Sequence, residues 1–182
     1  MSDDLIKRVC ACAESSGCEY YKPVSPATIA RAESELGFAL PPLIVRLYTE
    51  VANGGFGPGY GLLGLIDPCQ DGDQTVVSLY RENIAAHENP EVDHTWHNGL
   101  IMLCDWGCCI YTCVDCRSEQ AQIVTHDPEL TWTHWTLESW LDDWVRGVDI
   151  HARMFEPSES VMRVNPFTGD PFEFTKRGRA KY

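Results

Sequence analysis

The sequence predicts an α+β fold, a single domain in which a mainly antiparallel, meandering sheet packs against N-terminal helices and a late amphipathic helix. Two observations support this prediction. Segments with apolar residues at helical spacing come early and late in the chain, and short strand-like segments lie between them. The chain has 182 residues, 44% of them hydrophobic, which suits one domain with a core of its own. We expect the domain to span residues 1–156 and residues 157–182 to form an extension that packs on it or is partly mobile.

The first two helices have clear sequence signals. Residues 3–15 place their apolar side chains on one face of a helix. The second helix has Ser25 as its N-cap, Pro26 in its first position and Gly37 at its C-terminal end. Its apolar face would contain Ile29, Ala32 and Leu36. Both helices are therefore expected to pack one side against the core.

Two further helices are expected before the sheet. The third begins after Pro41-Pro42 and ends at Asn53-Gly54-Gly55, because Asn and Gly accept the left-handed conformation that is common at helix C-termini. Residues 74–87 can form a fourth helix with one apolar side. The glycine-rich stretch between them is then a connection from helix to sheet.

The middle of the chain predicts the sheet. Residues 100–104 and 108–116 are predicted as two strands joined by a tight hairpin turn at Asp105-Trp106-Gly107. Residues 121–126 are predicted as a further strand. The three segments follow one another closely, which favours an antiparallel meander.

Thr136 is expected to cap the clearest helix of the chain, in residues 137–148. Apolar residues recur along it at helical spacing, and Asp142, Asp143 and neighbouring polar residues would face water. The later segment NPFTGDPFEF consists of turn-forming residues and phenylalanines. We expect it to pack its Phe side chains on the domain without forming a core of its own.

GYGLLG, residues 59–64, matches the G-x-G-x-x-G pattern of dinucleotide-binding loops. Such a loop follows a strand and opens a helix, whose N-terminal amides meet the pyrophosphate. Here a helix comes before the glycines, and the apolar residues 62–66 are predicted as a strand. We therefore expect no cofactor at this loop and interpret the glycines as the flexible entry into the sheet.

The chain is strongly acidic, with 14 Lys and Arg against 27 Asp and Glu and a net charge of −13. Such a surface repels nucleic acid and attracts a basic partner, although acidity can also serve solubility alone. No apolar run approaches the roughly 20 residues that cross a bilayer, and the N-terminus does not resemble a signal peptide. Together with nine cysteines, an odd number, these features predict a cytoplasmic protein with reduced thiols and no membrane association.

Residues 29–65 resemble the SUKH superfamily, which takes in bacterial toxin-immunity proteins and the fungal cell-wall-synthesis regulator. In that family a helix with a Glu, here Glu33 or Glu35, closes with Leu-Gly and leads to Leu-Pro. A helix, an Asn-Gly-Gly-type turn and a Gly-rich entry into the sheet follow. LCDWGCCIYTCVDC is similar to the family's hairpin, and WTLESWLDDWV to its closing helix. The residues that carry this fold signature are Leu36, Gly37, Leu40, Pro41, Asn53, Gly54, Gly55, Gly61, Trp106 and Gly107. The resemblance implies a SUKH-like fold and no catalytic residue.

The cysteine and histidine residues leave two alternatives open. Cysteines 104, 108, 109, 113 and 116 could suggest zinc, but strand alternation points them to different faces, which favours small buried side chains over four converging ligands. No metal is therefore expected. His94, His97 and His126 could serve a Cys/His nucleophile, although no local signature supports one.

Trp132 and Trp135, which come before the closing helix, could belong to a binding surface or to the core.

The function predicted from these features is that of a non-enzymatic immunity protein that binds and neutralises a polymorphic toxin domain, with a nuclease as the favoured class. Nucleases present basic residues to phosphate, and acidic side chains can occupy the same positions. The candidate contacts are Asp67, Asp71, Asp73, Glu88, Glu91 and Asp93, which could equally be solvated loop charges. A regulatory interaction scaffold is the alternative, and an enzyme or zinc module built on Cys and His ranks below both.

Overall fold

The computed structural model describes residues 3–15, 21–68, 74–127, 129–155 and 159–176. Its helices are α1 (Asp3–Ser15), α2 (Pro26–Leu36), α3 (Pro42–Arg46), α4 (Val76–Glu88), α5 (Leu137–Val145) and α6 (Ile150–Met154). Its strands are β1 (Leu100–Gly107), β2 (Ile110–Asp115), β3 (Gln122–Asp127), β4 (Glu129–Thr136), β5 (Glu159–Val164) and β6 (Pro171–Lys176). Strands β1 to β4 form one antiparallel sheet in which each strand pairs with the next in the chain. The predicted α+β class and the meandering sheet are confirmed.

The caps predicted for α2 and α5 are present. The Ser25 hydroxyl accepts a hydrogen bond from the Thr28 N–H, and Gly37 ends α2 with a φ of 82°. Thr136 and Ser139 form a reciprocal capping box at the start of α5, and α4 begins with a cap of the same kind. These bonds satisfy backbone N–H groups that the first turn of a helix leaves without partners.

The third helix ends differently from its prediction. α3 continues as one π-helical turn, Leu47–Val51, and Ala52 after it is extended, with a φ of −165°. The Ala52 N–H donates to the Leu47 carbonyl oxygen and closes the helix. The left-handed residues Gly54 and Gly55 come only after that closure. The predicted left-handed cap is therefore wrong, and these two glycines turn the chain beyond the helix.

Asn53 fixes the turn that follows the third helix. The side chain is 7% exposed. Its Oδ1 accepts a hydrogen bond from the Leu65 N–H at 2.9 Å, and its Nδ2 donates to the Asp67 carbonyl oxygen at 2.9 Å. One amide side chain thus joins the two ends of the glycine-rich segment, which explains an Asn at this position.

The backbone amides of GYGLLG bind the protein itself. The N–H groups of residues 60–63 all donate to backbone carbonyl oxygens, and two of these bonds, Tyr60 to Asp105 and Leu63 to Leu103, join the segment to β1. A Cβ atom on Gly59 would lie 2.6 Å from the Asp105 oxygen, so this close approach requires glycine. These four N–H groups are already bonded to carbonyl oxygens and so cannot donate to a phosphate as well. The next helix among the described residues begins at Val76.

The strand predicted at residues 62–66 is wrong. Leu62 pairs with Cys104 and Gly64 with Thr75, each as an isolated bridge. The two bridges have different partners, β1 for Leu62 and the residue before α4 for Gly64, so the segment does not continue along one strand. The segment connects helix to sheet, but it joins the sheet at single residues.

The hairpin turn between β1 and β2 lies two residues later than predicted. β1 continues through Gly107, and the turn is Cys108-Cys109, with φ values of 51° and 62°. Two positive φ values are typical of the two-residue type I′ turn. Trp106 remains in β1, where its indole N–H donates to the Thr112 hydroxyl oxygen at 2.8 Å. That bond is the physical reason why the chain does not turn at Asp105-Trp106-Gly107.

Strand β4 was not predicted as a strand. Its sequence ELTWTHWT is rich in β-branched and aromatic residues. In it Trp135 is 5% exposed and belongs to the core, whereas Trp132 is 39% exposed. The two tryptophans that the sequence left undecided therefore differ in role.

Asp142 and Asp143 do not face water as predicted. Asp142 accepts a hydrogen bond from Arg8 at 2.7 Å, which ties α5 to α1. Asp143 is mostly buried, and its carboxylate bonds Arg153 and the Trp135 indole N–H. Contacts of α5 with α1, α6 and β4 thus limit the exposure of the Asp142 side chain to 31% and that of Asp143 to 14%.

The C-terminal segment forms a separate two-stranded sheet, β5 and β6. Phe167, in the turn between them, is 96% exposed, and Phe172 is 42% exposed. Neither of these two Phe side chains is buried against the domain. A hairpin of two strands has no second layer that could cover them.

The four-stranded sheet has apolar residues on both faces. One face contains Leu103 and Val114 and belongs to the core cluster to which α1, α2, α3, α5 and α6 also contribute, with Trp140 of α5 buried in it. The other face is covered by α4 and by the chain segment around Trp96. Within the described ranges, every helix is too short or too polar to cross a lipid bilayer.

Candidate protein-binding surface

Asp67 lies apart from the other acidic residues predicted to contact a partner. It follows Leu65, whose carbonyl oxygen accepts the Val77 N–H at the start of α4. Its carboxylate pairs with Arg31 at 3.0 Å, and both side chains are more than half exposed. The charge of Asp67 is therefore partly neutralised at the N-terminal end of α4.

The other predicted acidic contacts that the structure describes lie at the opposite end of α4. Glu88 is the last residue of α4, and Glu91 and Asp93 follow in an exposed segment. A helix of 13 residues is about 20 Å long, so α4 separates these acids from the N-terminal end. Asp71 and Asp73 lie outside the described residues. The predicted contacts thus do not form one cluster.

Aromatic and histidine side chains lie on the sheet face that α4 covers only in part. Tyr111 on β2 is directly opposite His126 on β3, which is opposite Leu130 on β4. Cross-strand partners project from the same face of a sheet, and Trp132 lies two residues beyond Leu130 on that face. Together with His97, whose ring contacts Trp132 at 5.9 Å, we name these residues the histidine–aromatic face.

Trp96 forms the floor of this face. It is 2% exposed, and its indole N–H donates to the Leu100 carbonyl oxygen at 3.0 Å. Its ring stacks on His94 with centroids 6.0 Å apart and meets the His126 ring edge-on at 5.8 Å. The segment before β1 thereby joins the histidines to the sheet.

The same segment is attached to α4 by histidine hydrogen bonds. The His94 Nε2 atom lies 2.9 Å from Asn83 Oδ1, and the His87 Nδ1 atom lies 3.1 Å from the His94 carbonyl oxygen. The histidine–aromatic face is thus held in place by both α4 and the sheet. A surface fixed in this way loses little conformational entropy when a partner binds.

His126 is uncharged at neutral pH. Burial lowers its pKa from the ordinary value of 6.5, because the imidazolium form is desolvated among the surrounding rings. Its Nδ1 atom is buried and has no hydrogen-bond partner in the part of the chain that the structure describes. Burial also raises the pKa of Tyr111, and the nearby Asp105 carboxylate adds to that shift. His126 and Tyr111, which lie opposite each other on this face, are therefore both uncharged at neutral pH.

Exposed acidic residues lie next in the chain to residues of this face. Glu88, Glu91 and Asp93 precede His94 and Trp96 in the chain, and Glu129 begins β4 beside Leu130; we name these four residues the acidic rim. All four are exposed, and among the described residues none of them has an ion-pair partner. An aromatic centre with a charged rim is typical of a protein interface, and the negative rim favours a basic partner.

The cysteines that the structure describes are dispersed over the fold. Cys104 packs in the core on one face of the sheet and Cys113 on the other. Cys108 and Cys109 are exposed in the hairpin turn. Burial raises the pKa of the Cys104, Cys113 and Cys116 thiols. Among the described residues, no group of three His, Cys, Asp or Glu side chains could hold a metal ion, and no cysteine sulfur donates to a histidine.

The sequence pointed to most residues of this surface individually, but not to their being neighbours in the fold. His94, His97 and His126 were considered as partners of a cysteine, and Trp132 as an undecided aromatic. Tyr111 and Leu130 were not singled out. The alternation of T-W-T-H-W-T in β4 was the available signal, because it places Trp132 on the face opposite to Trp135 and Thr133.

Comparison with known families gives one match. A model described as the SMI1 / KNR4 family (SUKH-1) matches residues 23–143. No curated protein matches the chain. The matched stretch includes the Asn53 turn, the four-stranded sheet and the histidine–aromatic face, and it ends within α5.

Proposed function

The chain belongs to the SMI1 / KNR4 family (SUKH-1), and from this premise we propose that it is a non-enzymatic immunity protein that neutralises a toxin domain. The family is compatible with immunity or with regulatory protein–protein interaction. In either role the protein acts by holding another protein. We propose that the protein is cytoplasmic and meets the toxin domain there.

The observation that carries the proposal is the histidine–aromatic face with its acidic rim. Trp132 is 39% exposed and stands beside His97, Leu130 and His126 on a fixed sheet surface. Tryptophan and tyrosine supply much of the binding energy in protein interfaces, where they occupy the centre of the contact. A neutral aromatic centre of this kind suits a protein partner better than a phosphate-bearing ligand.

The charge of the chain favours a basic toxin, and among toxins a nuclease. The net charge of −13 repels nucleic acid but speeds the encounter with a basic protein. A nuclease presents Lys and Arg to the phosphates of its substrate. The carboxylates of Glu91, Asp93 and Glu129 can pair with those same side chains, so binding and inhibition would coincide.

Co-expression tests the proposal. Where a neighbouring gene encodes a secreted protein with a toxic C-terminal domain, that domain is induced in cells that do or do not make this protein. We expect growth to be restored only when the protein is present, and the two proteins to elute together as a complex from a sizing column. Cell death in the presence of soluble, folded protein would show that the immunity pairing is wrong. A stable complex with the domain that leaves its toxicity intact would instead support the regulatory alternative.

A further inference from the structure

A groove crosses the molecule where β4 meets α5. It consists of three adjoining cavities of about 410, 310 and 330 Å³, all of which include Thr136 in their walls. We name it the Thr136 groove. It is lined in part by residues of the turn before α3, of the β2–β3 connection and of the first turn of α5. These residues lie outside the histidine–aromatic face and its acidic rim.

The largest cavity combines an apolar floor with two carboxylates. Pro41, Pro42, Leu43, Ala121 and Leu137 form apolar parts of its wall, and Glu119 and Glu138 stand in the same wall. Both glutamates are exposed, and neither has an ion-pair partner among the residues that the structure describes. The volume lies near the lower end of the range of about 300 to 1,000 Å³ that is usual for ligand pockets.

The groove does not suit an anion. The backbone amides at the start of α5 already have partners, since the Leu137 N–H donates to the Ala121 carbonyl oxygen and the Ser139 N–H to the Thr136 hydroxyl. Two of the amides that the start of α5 could offer to a phosphate or carboxylate are therefore already used. The two carboxylates add a negative field to the same cavity.

We propose that the largest cavity of the Thr136 groove receives an arginine side chain of the protein partner. The methylene stem of arginine packs on apolar surface while its head stays polar, which matches Pro41 and Pro42 in the cavity wall. The planar guanidinium carries five N–H donors and can bond two carboxylates at once, which matches Glu119 and Glu138. This inference rests on the proposed function in one respect: the arginine belongs to a protein that the chain binds.

Nuclear magnetic resonance titration with a short peptide tests the site without any toxin. The probe is N-acetyl-Gly-Arg-Gly-amide, and its control is the same peptide with citrulline, which has the shape of arginine but no charge. We expect the arginine peptide to shift the backbone amide signals of residues 119–121, 137 and 138, and the citrulline peptide to leave them in place. Equal shifts with both peptides, no shifts, or shifts confined to other residues would overturn the proposal.

Substitution of the carboxylates completes the test. Glu119→Gln with Glu138→Gln keeps the shape of the cavity and removes its charge, and we expect the affinity for the arginine peptide to fall about fivefold or more, as two solvent-accessible ion pairs are lost. Glu14→Gln, an exposed acid on α1, is the control and should leave that affinity unchanged. An unchanged affinity in the double variant, or an equal loss in the control, would overturn the site. Because the toxin is absent from this experiment, its failure leaves the outcome of co-expression untouched, and the reverse also holds.

Discussion

Thr112 on β2 and Thr125 on β3 lie directly opposite each other and are both fully buried, but their hydroxyl groups differ in hydrogen bonding. The Thr112 hydroxyl oxygen accepts the Trp106 indole N–H at 2.8 Å. The Thr125 hydroxyl has no partner among the residues that the structure describes. The two positions form a matched pair, because the residue type and the burial are the same and only the bonding differs.

We expect opposite responses to replacement by valine, which keeps the shape of threonine. Thr125→Val removes a buried polar atom without a bond, so it should leave the free energy of unfolding unchanged or raise it by up to about 1 kcal/mol. Thr112→Val leaves the Trp106 N–H without an acceptor and should lower that free energy by about 1 to 2 kcal/mol. Urea unfolding of both variants measures the difference, and an equal loss at the two positions would contradict it.

Glu33 and Glu35 form a second matched pair, in the last turn of α2 before the Leu-Pro motif. The Glu33 carboxylate accepts the Leu40 N–H at 2.8 Å and so fixes the connection to α3. Glu35 pairs with Arg81 at the surface, at 3.2 Å. Hydrogen bonds to charged groups contribute more than exposed ion pairs do. Of the two glutamates, Glu33 therefore makes the contact that stabilises this connection.

The prediction for this pair concerns stability. Glu33→Ala should lower the free energy of unfolding by about 1.5 kcal/mol or more, whereas Glu35→Ala should change it by less than about 0.5 kcal/mol. Glu33→Gln keeps an acceptor oxygen and should recover part of the loss. Chemical unfolding under identical conditions ranks the three variants, and a larger loss for Glu35→Ala would reverse the assignment.

His126 gives the stability a defined pH dependence. Its pKa in the folded protein lies below the unfolded value of 6.5, so below pH 6.5 the unfolded chain binds a proton that the folded protein does not. The free energy of unfolding should therefore fall as the pH drops from 6.5 toward the folded-state pKa, and this contribution should be constant above that window. His126→Phe should remove it, so that the difference between wild type and variant changes with pH only below 6.5. The same profile in both proteins would mean that His126 is not the group responsible.

The helices that were predicted best from the sequence are bounded by capping interactions between residues close together in the chain. Ser25, Gly37 and Thr136 act through bonds within a few residues of themselves, and the helices they bound lie where the sequence placed them. The errors arise where contacts between residues that are far apart in the chain determine the local structure. The Trp106 bond to Thr112 moves the turn to Cys108-Cys109, and composition gives no reason to expect two cysteines with positive φ. Asn53 is intermediate between these two groups. The sequence indicated a turn at this residue, but not that its side chain would bond the backbone of Leu65 and Asp67.

The candidate surface could be predicted only in pieces for the same reason. Tyr111, His126 and Leu130 become neighbours through strand register, which depends on where each turn lies. A turn displaced by two residues and one missing strand were enough to hide the arrangement. The acidic character was visible in the composition, but its division between the two ends of α4 was not.

Trp132 provides the last prediction, which concerns binding to the toxin domain used in co-expression. Trp132→Ala removes the exposed aromatic ring at the centre of the histidine–aromatic face. Because an anchor of this kind acts after docking, we expect faster dissociation, an affinity loss of about tenfold or more, and little change in the association rate. The ring is 39% exposed, so thermal unfolding should change only slightly. Tyr21→Ala is the control, since Tyr21 is 38% exposed and lies outside this face. Surface plasmon resonance separates the two rates, and equal dissociation rates for wild type and Trp132→Ala would remove this face from the interface.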